Sequence, residues 1–379
     1  MSMKYESSIA PTADMLSSTS TFFVSDTTNS PSSERTLLDS VLAATPRTTS
    51  NGMSEYLMLL FGCLFCFLTI VGILGNLIVI IVIAGDNKMR QSVMNILLLN
   101  LAVADGSNLL LTVWEWVPTV TYGSKVWMLP AFMCAICRYL EYVFLFTSIS
   151  TQLIVCIERY IAIIHPIKAR ILCNRQNVGI AVACAWGFAA LFAFPYLHYH
   201  TLTKTGICSN QAHYFSWWPH YKTAEFLCFY LFPCAAILCV YSRVAIALWA
   251  NNQLGETQKC LKQTNSRNDT LRTRRNVVKM LIACGAVYFV CYSPIQILFV
   301  TNYLLQMNFN PPYALRLIMN AMTMTCSASN PLLYTLFSMK FRQRLKNLLF
   351  CNSVQLTRDA EKQTRLAVYY NINSAEKSF

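Results

Sequence analysis

The chain has 379 residues, 55% of them hydrophobic and 12% charged, with a formal net charge of +13. Soluble domains carry about 25% charged residues, so half that share with long apolar runs excludes an ordinary soluble globule and points to a polytopic membrane protein. The positive charge sits in short segments between apolar runs and near the C-terminus, which argues against the clustered basic face of a nucleic-acid binder.

In chain order, residues 1–55 are rich in Ser and Thr, poor in large apolar side chains and read as a disordered tail. The tail suits O-glycosylation and holds no Asn-x-Ser/Thr acceptor, and the first apolar run begins only at Tyr56, so no signal peptide is expected. Seven segments follow at about 56–84, 92–118, 131–164, 178–199, 222–250, 277–305 and 312–337, each long enough to span a bilayer. The links after the first, third and fifth are basic (Lys88, Arg90; Lys168, Arg170, Arg175; Lys259 to Arg275), whereas those after the second, fourth and sixth hold little beyond Lys125 and Lys204. This bias predicts an N-terminus outside the membrane and a C-terminus on its cytoplasmic side.

Residues 338–351 put Phe341, Leu345, Leu348 and Leu349 on one face, with Arg342, Arg344 and Lys346 elsewhere. That pattern predicts an amphipathic helix on the inner leaflet, ending at Cys351 as a palmitoylation site. Residues 352–379 read as a second disordered tail. The fold class expected is all-α, a seven-helix membrane bundle (56–337) with a short eighth helix. No internal repeat is visible, which leaves a transporter as a remote alternative.

The third segment carries the most information. Cys134 and Arg159 lie 25 residues apart, about 37 Å of helix, so both can reach a membrane surface. Glu158-Arg159 at one end is costly in a membrane unless water or a partner satisfies it. At mid-span depth stand Asn76, Asp105, Ser148, Ser327 and Asn330. Their oxygens could ligate a small cation such as sodium, or form a hydrogen-bonded knot without one. Pro233, Pro294 and Pro331 are expected to kink their helices and free carbonyls, with Asn330 satisfying a freed group and Tyr334 swinging as a switch.

These residues closely resemble the rhodopsin-like G-protein-coupled receptors over about 56–351. Gly75-Asn76, Leu101 to Asp105, Cys134, Glu158-Arg159-Tyr160, Trp186, Pro233 with Tyr241, Pro294, and Asn330-Pro331 through Tyr334 match motifs of successive helices. The third helix, with Tyr139-Leu140-x-Tyr142 and His165-Pro166-Ile167-Lys168-Ala169, is similar to thyrotropin-releasing-hormone-type peptide receptors. It departs from them at Glu141, a glutamine there, at Asn320, which replaces an arginine, and at Tyr292 and Tyr288, which replace Trp and Phe.

The resemblance implies an extracellular peptide ligand, a heterotrimeric G protein, and later arrestin and receptor kinases. It implies a Cys134–Cys208 disulfide, an Arg159 that pairs with Glu158 when inactive and turns toward Tyr241 on activation, and insertion of Ile167 into the G protein. It places Glu115, Glu141 and Glu225 at the pocket, with Tyr142, Gln296, Asn320 and Tyr292 beside them. Buried carboxylates need partners: a basic group on the ligand, or internal pairing with Arg138, Lys222 or Arg316. A receptor for a small cationic amine is the alternative. No lysine lies between Met319 and Thr325 to hold retinal, and the absence of His-plus-acid zinc sets inside the spans argues against a membrane hydrolase, so no enzyme and no cofactor beyond sodium is expected. His198, His200, His213 and His220 read as solvated loop histidines.

Overall fold

The computed structural model describes residues 55–122, 126–257, 265–307, 309–337 and 341–346. Residues 1–54 of the expected 1–55 tail, the expected 352–379 tail and Cys351 lie outside them; Glu55, placed in the first tail, instead opens the first helix. Seven long helices run in sequence: α1 (Glu55–Ala84), α2 (Val93–Tyr122), α3 (Ala131–Ile164), α4 (Arg175–Tyr199), α5 (Trp218–Phe226, continuing as Phe232–Thr257), α6 (Asn265–Phe299) and α7 (Tyr313–Phe337). Residues 341–346 form a further helical turn, within the expected eighth helix. Helix is the outcome that apolar surroundings require, because it satisfies every interior backbone group within the segment. Six of the seven helices are long and apolar enough to cross a membrane by composition. The seventh, α7, carries Arg316, Asn320, Ser327 and Asn330 and packs between α1 and α6.

Local chemistry explains several departures from straight helix. Asn174 caps α4, its side chain accepting from Asn177 N at 2.8 Å. Beyond Pro118, where the apolar run was expected to end, α2 continues to Tyr122, with Thr119 and Thr121 hydroxyls donating to carbonyls four residues back. In α5 a π turn, Leu227–Leu231, precedes Pro233. Proline has no N–H to return along the helix, and the Phe229 carbonyl one turn earlier accepts the Tyr288 hydroxyl of α6. Pro331 likewise frees the Ser327 carbonyl of α7, which accepts from Asn76 Nδ2 of α1 at 3.2 Å. The expectation that Asn330 would meet this need is corrected: Asn76 meets it, and Asn330 reaches elsewhere.

Close helix approach is set at Gly72, where an added Cβ would stand 2.4 Å from Leu109 Cδ1 and 3.3 Å from Ala328 Cα. Any larger residue there must displace the Leu109 side chain of α2 and crowds the α7 backbone at Ala328. At one end of the bundle an antiparallel hairpin, β1 (His200–Leu202) and β2 (Cys208–Asn210), lies across the helices. Its turn uses Gly206 at φ +75°, a conformation that favours glycine. Cys208 is bonded to Cys134 at the start of α3, with Cα atoms 5.7 Å apart. This is termed the disulfide end, and the opposite one the Arg159 end.

Candidate functional site

At the disulfide end a cleft of about 180 Å³ is lined by Trp114, Glu115, Trp127, Arg138, Tyr142 and His200, with Cys208 at its edge. Arg138 organises it. Its Nη1 donates to Glu115 Oε2 at 2.7 Å and to Glu141 Oε2 at 3.0 Å. The side chains are 16%, 26% and 19% exposed respectively, so these are largely desolvated, charge-assisted bonds. Of the two partners proposed for the carboxylates, the internal one is present. Glu225 is paired too: Lys222 Nζ lies 2.5 Å from its Oε1, and the Tyr196 hydroxyl donates to Oε2. Among the described residues Arg316 pairs with no acid; it donates to the Pro311 carbonyl and the Asn310 side chain.

Among the expected ligand-reading residues, Glu115 and Tyr142 line the cleft, and Glu141 joins it through Arg138. Glu225 sits behind Tyr142, whose ring stacks on Tyr196 at 3.5 Å. Tyr292 is buried in an aromatic layer with Tyr288, ring centroids 4.9 Å apart. Gln296 and Asn320 are half-buried and do not line this cleft.

His200 was read as a solvated loop histidine, and that is corrected. It is half-buried in the cleft wall, its Nδ1 lying 2.9 Å from the Tyr196 carbonyl. A carbonyl only accepts, so Nδ1 carries the proton and Nε2 is left as an acceptor. Burial pushes its pKa down to about 4, against the bond to Tyr196; Arg138 lowers it further and Glu115 opposes. His200 was invisible in sequence because only the hairpin brings it over the helices.

At mid-depth Asp105 is 1% exposed. Its Oδ1 accepts from Ser148 Oγ at 2.7 Å and its Oδ2 from Asn330 Nδ2 at 2.6 Å, tying α2, α3 and α7. Buried Ser327 enters twice: its side chain adds a hydrogen bond to Asp105, and its backbone carbonyl accepts from Asn76. A second polar chain was not anticipated: Trp186 Nε1 donates to Asn100 Oδ1 at 2.9 Å, and Asn100 Nδ2 to Thr151 Oγ1 at 2.8 Å. Its signal was an asparagine in an apolar run, which proves nothing until a partner is known.

At the Arg159 end, Arg159 Nε and Nη2 donate to the two carboxylate oxygens of Glu158, a bidentate pair. Tyr160 packs edge-on against His165. Ile167 is 81% exposed on the short helix Pro166–Leu172, an apolar side chain held clear of the bundle. Tyr241 and Tyr334 border one small cavity with Cys284 and Gly285, and the buried Tyr334 hydroxyl has no hydrogen-bond partner among the described residues. Pro294 lies inside α6.

A seven-helix bundle with a disulfide-tethered hairpin over a cleft, and an acid-arginine pair at the other end, defines a membrane receptor. Residues 75–334 match the family described as 7 transmembrane receptor (rhodopsin family), and the chain belongs to that family. It is 54% identical over 331 residues to Neuropeptide receptor 15 of Caenorhabditis elegans, covering 82% of this chain and 94% of that one. It is 26% identical over 295 residues to Galanin receptor 2b of Danio rerio (76% and 74% covered), and 27% over 309 residues to the Substance-P receptor of Mus musculus (78% and 72%). The thyrotropin-releasing-hormone likeness rests on the third-helix string alone.

Proposed function

We propose that the chain is a plasma-membrane receptor for a short neuropeptide with a basic group, N-terminus outside and C-terminus in the cytoplasm, signalling through a heterotrimeric G protein. The 54% identity to a nematode neuropeptide receptor over 82% of this chain carries the reading. The bias of Lys and Arg among the links supports the orientation. The cleft at the disulfide end supports the ligand class, since it offers aromatic faces, acidic groups and the His200 acceptor. A basic side chain entering there meets Glu115 and Glu141 already oriented by Arg138.

Ligand and G protein favour one conformation, so each raises the other's affinity. In it Arg159 leaves Glu158 and turns toward Tyr241, Tyr334 swings, and Ile167 enters an apolar pocket of the G protein. Arrestin and receptor kinases act at the same face, and a lipid on Cys351 anchors the eighth helix. Asp105 meets only neutral donors in the contacts described, which fits a sodium ion held by Asp105, Ser148, Ser327 and Asn330 as its countercharge.

The test is expression in cultured cells, with calcium and cAMP readouts against a library of short peptides. At least one basic peptide is expected to signal, and Arg159→Ala to abolish the signal while surface binding of the labelled peptide persists. Response to small amines alone, or full signalling by Arg159→Ala, would overturn the reading.

A further inference from the structure

Behind Tyr142 the protein has built a cage around its own ammonium group. Lys222 Nζ lies 5.9 Å from the Tyr142 ring centroid, 5.7 Å from that of Tyr196 and 6.0 Å from that of Trp218. Glu225 closes the floor at 2.5 Å and the Tyr196 hydroxyl accepts from Nζ at 3.0 Å. Three aromatic faces, a carboxylate and a hydroxyl are contributed by α3, α4 and α5. Aromatic rings attract cations through their quadrupoles, and the attraction strengthens as water is removed. Tyr196 is 1% exposed and Trp218 5%.

The occupant is tethered and the cage is not closed. Lys222 stands three residues before Glu225 on the same helix, so its ammonium reaches the carboxylate without a ligand. Its side chain is still 20% exposed, and Tyr142 belongs both to the cage and to the wall of the cleft. The Tyr142 ring is shared by the two spaces.

We propose that the cage is a subsite of the ligand cleft for an alkylammonium group on an aliphatic stem, the chemistry of a lysine side chain, and that Lys222 occupies it until such a group takes its place. This rests on the receptor reading but names the subsite and its tethered competitor. It predicts that the lysine can be replaced by a free ion. Lys222→Ala removes Cγ to Nζ, the atoms of n-propylammonium.

The experiment measures thermal stability of the full-length purified receptor in detergent. Lys222→Ala is expected to melt below the parent. Added n-propylammonium should restore a large part of the loss, saturably, while n-propanol does not and the parent, its cage filled, shifts little. If Lys222→Ala proves too unstable to purify, Lys222→Ala/Glu225→Gln removes the stranded carboxylate and should purify, with the n-propylammonium response lost. Equal effects of n-propylammonium and n-propanol on Lys222→Ala, an equal shift of the parent, or a retained response in the double variant would overturn the proposal. None of these outcomes depends on which peptide the receptor binds, so the test can fail while the receptor reading stands.

Discussion

Arg138→Met tests whether one guanidinium holds the cleft at the disulfide end together. Methionine keeps much of the aliphatic volume and removes both charge-assisted bonds, to Glu115 at 2.7 Å and Glu141 at 3.0 Å. Two carboxylates, 26% and 19% exposed, then lose the guanidinium they share. Removing one partner from a fully buried ion pair costs about 3–5 kcal/mol. Because these groups keep some contact with water, about 2–4 kcal/mol is expected, roughly 5–10 °C in melting temperature for a domain of this size. The protein carries its own reporter: Cys156, Cys234, Cys284, Cys291 and Cys326 are buried free thiols, so a thiol-reactive fluorophore detects unfolding directly. The triple variant Arg138→Met/Glu115→Gln/Glu141→Gln replaces each charge by a neutral group of similar shape. It should recover to within about 1 kcal/mol of the parent, since the loss comes from uncompensated charge at Arg138's site rather than lost volume. A triple variant melting no higher than Arg138→Met, or an Arg138→Met receptor as stable as the parent, would refute the reasoning.

Three further outcomes follow from other contacts. Tyr288→Phe deletes the hydroxyl that donates to the Phe229 carbonyl at the π turn and should destabilise the receptor by about 1–2 kcal/mol in the same thiol assay, loosening α6 from α5. Asn76→Leu strands the Ser327 carbonyl freed by Pro331 and should cost about 1–3 kcal/mol, whereas an exposed substitution such as Arg175→Gln should stay within about 0.5 kcal/mol. His200 has its pKa lowered to about 4 in the folded cleft, with Arg138, Glu115 and the Tyr196 carbonyl facing it. A group whose folded pKa is depressed below about 6.5 binds its proton better when unfolded, so its share of stability is full above that pH and falls on acidification toward 4. Because His200 is only half-buried, about 1–2 kcal/mol is expected over that window. His200→Gln should flatten this part of the pH profile of melting temperature, and identical parent and variant profiles would count against the assignment.

The sequence by itself determined what the bilayer demands. Apolar length sets the helices, the basic links carry the orientation argument, and isolated polar groups such as Asp105 and Arg159 stand out because burying them alone is costly. Proline positions announced which carbonyls would be freed. The tertiary structure decided which partner fills each vacancy, because hydrogen-bond partners come from other helices at separations the chain does not encode locally. Asn76, 251 residues from Ser327, takes the carbonyl freed by Pro331, and Asn330 turns instead to Asp105. The third-helix arginine could have served Glu141 alone, on its own helix; packing of α2 against α3 makes Arg138 bridge Glu141 and Glu115. Lys222 was legible as a partner for a buried carboxylate; that α3 and α4 bring Tyr142 and Tyr196 around its ammonium was not. Composition and spacing specify what each helix must bury; only the bundle specifies against what.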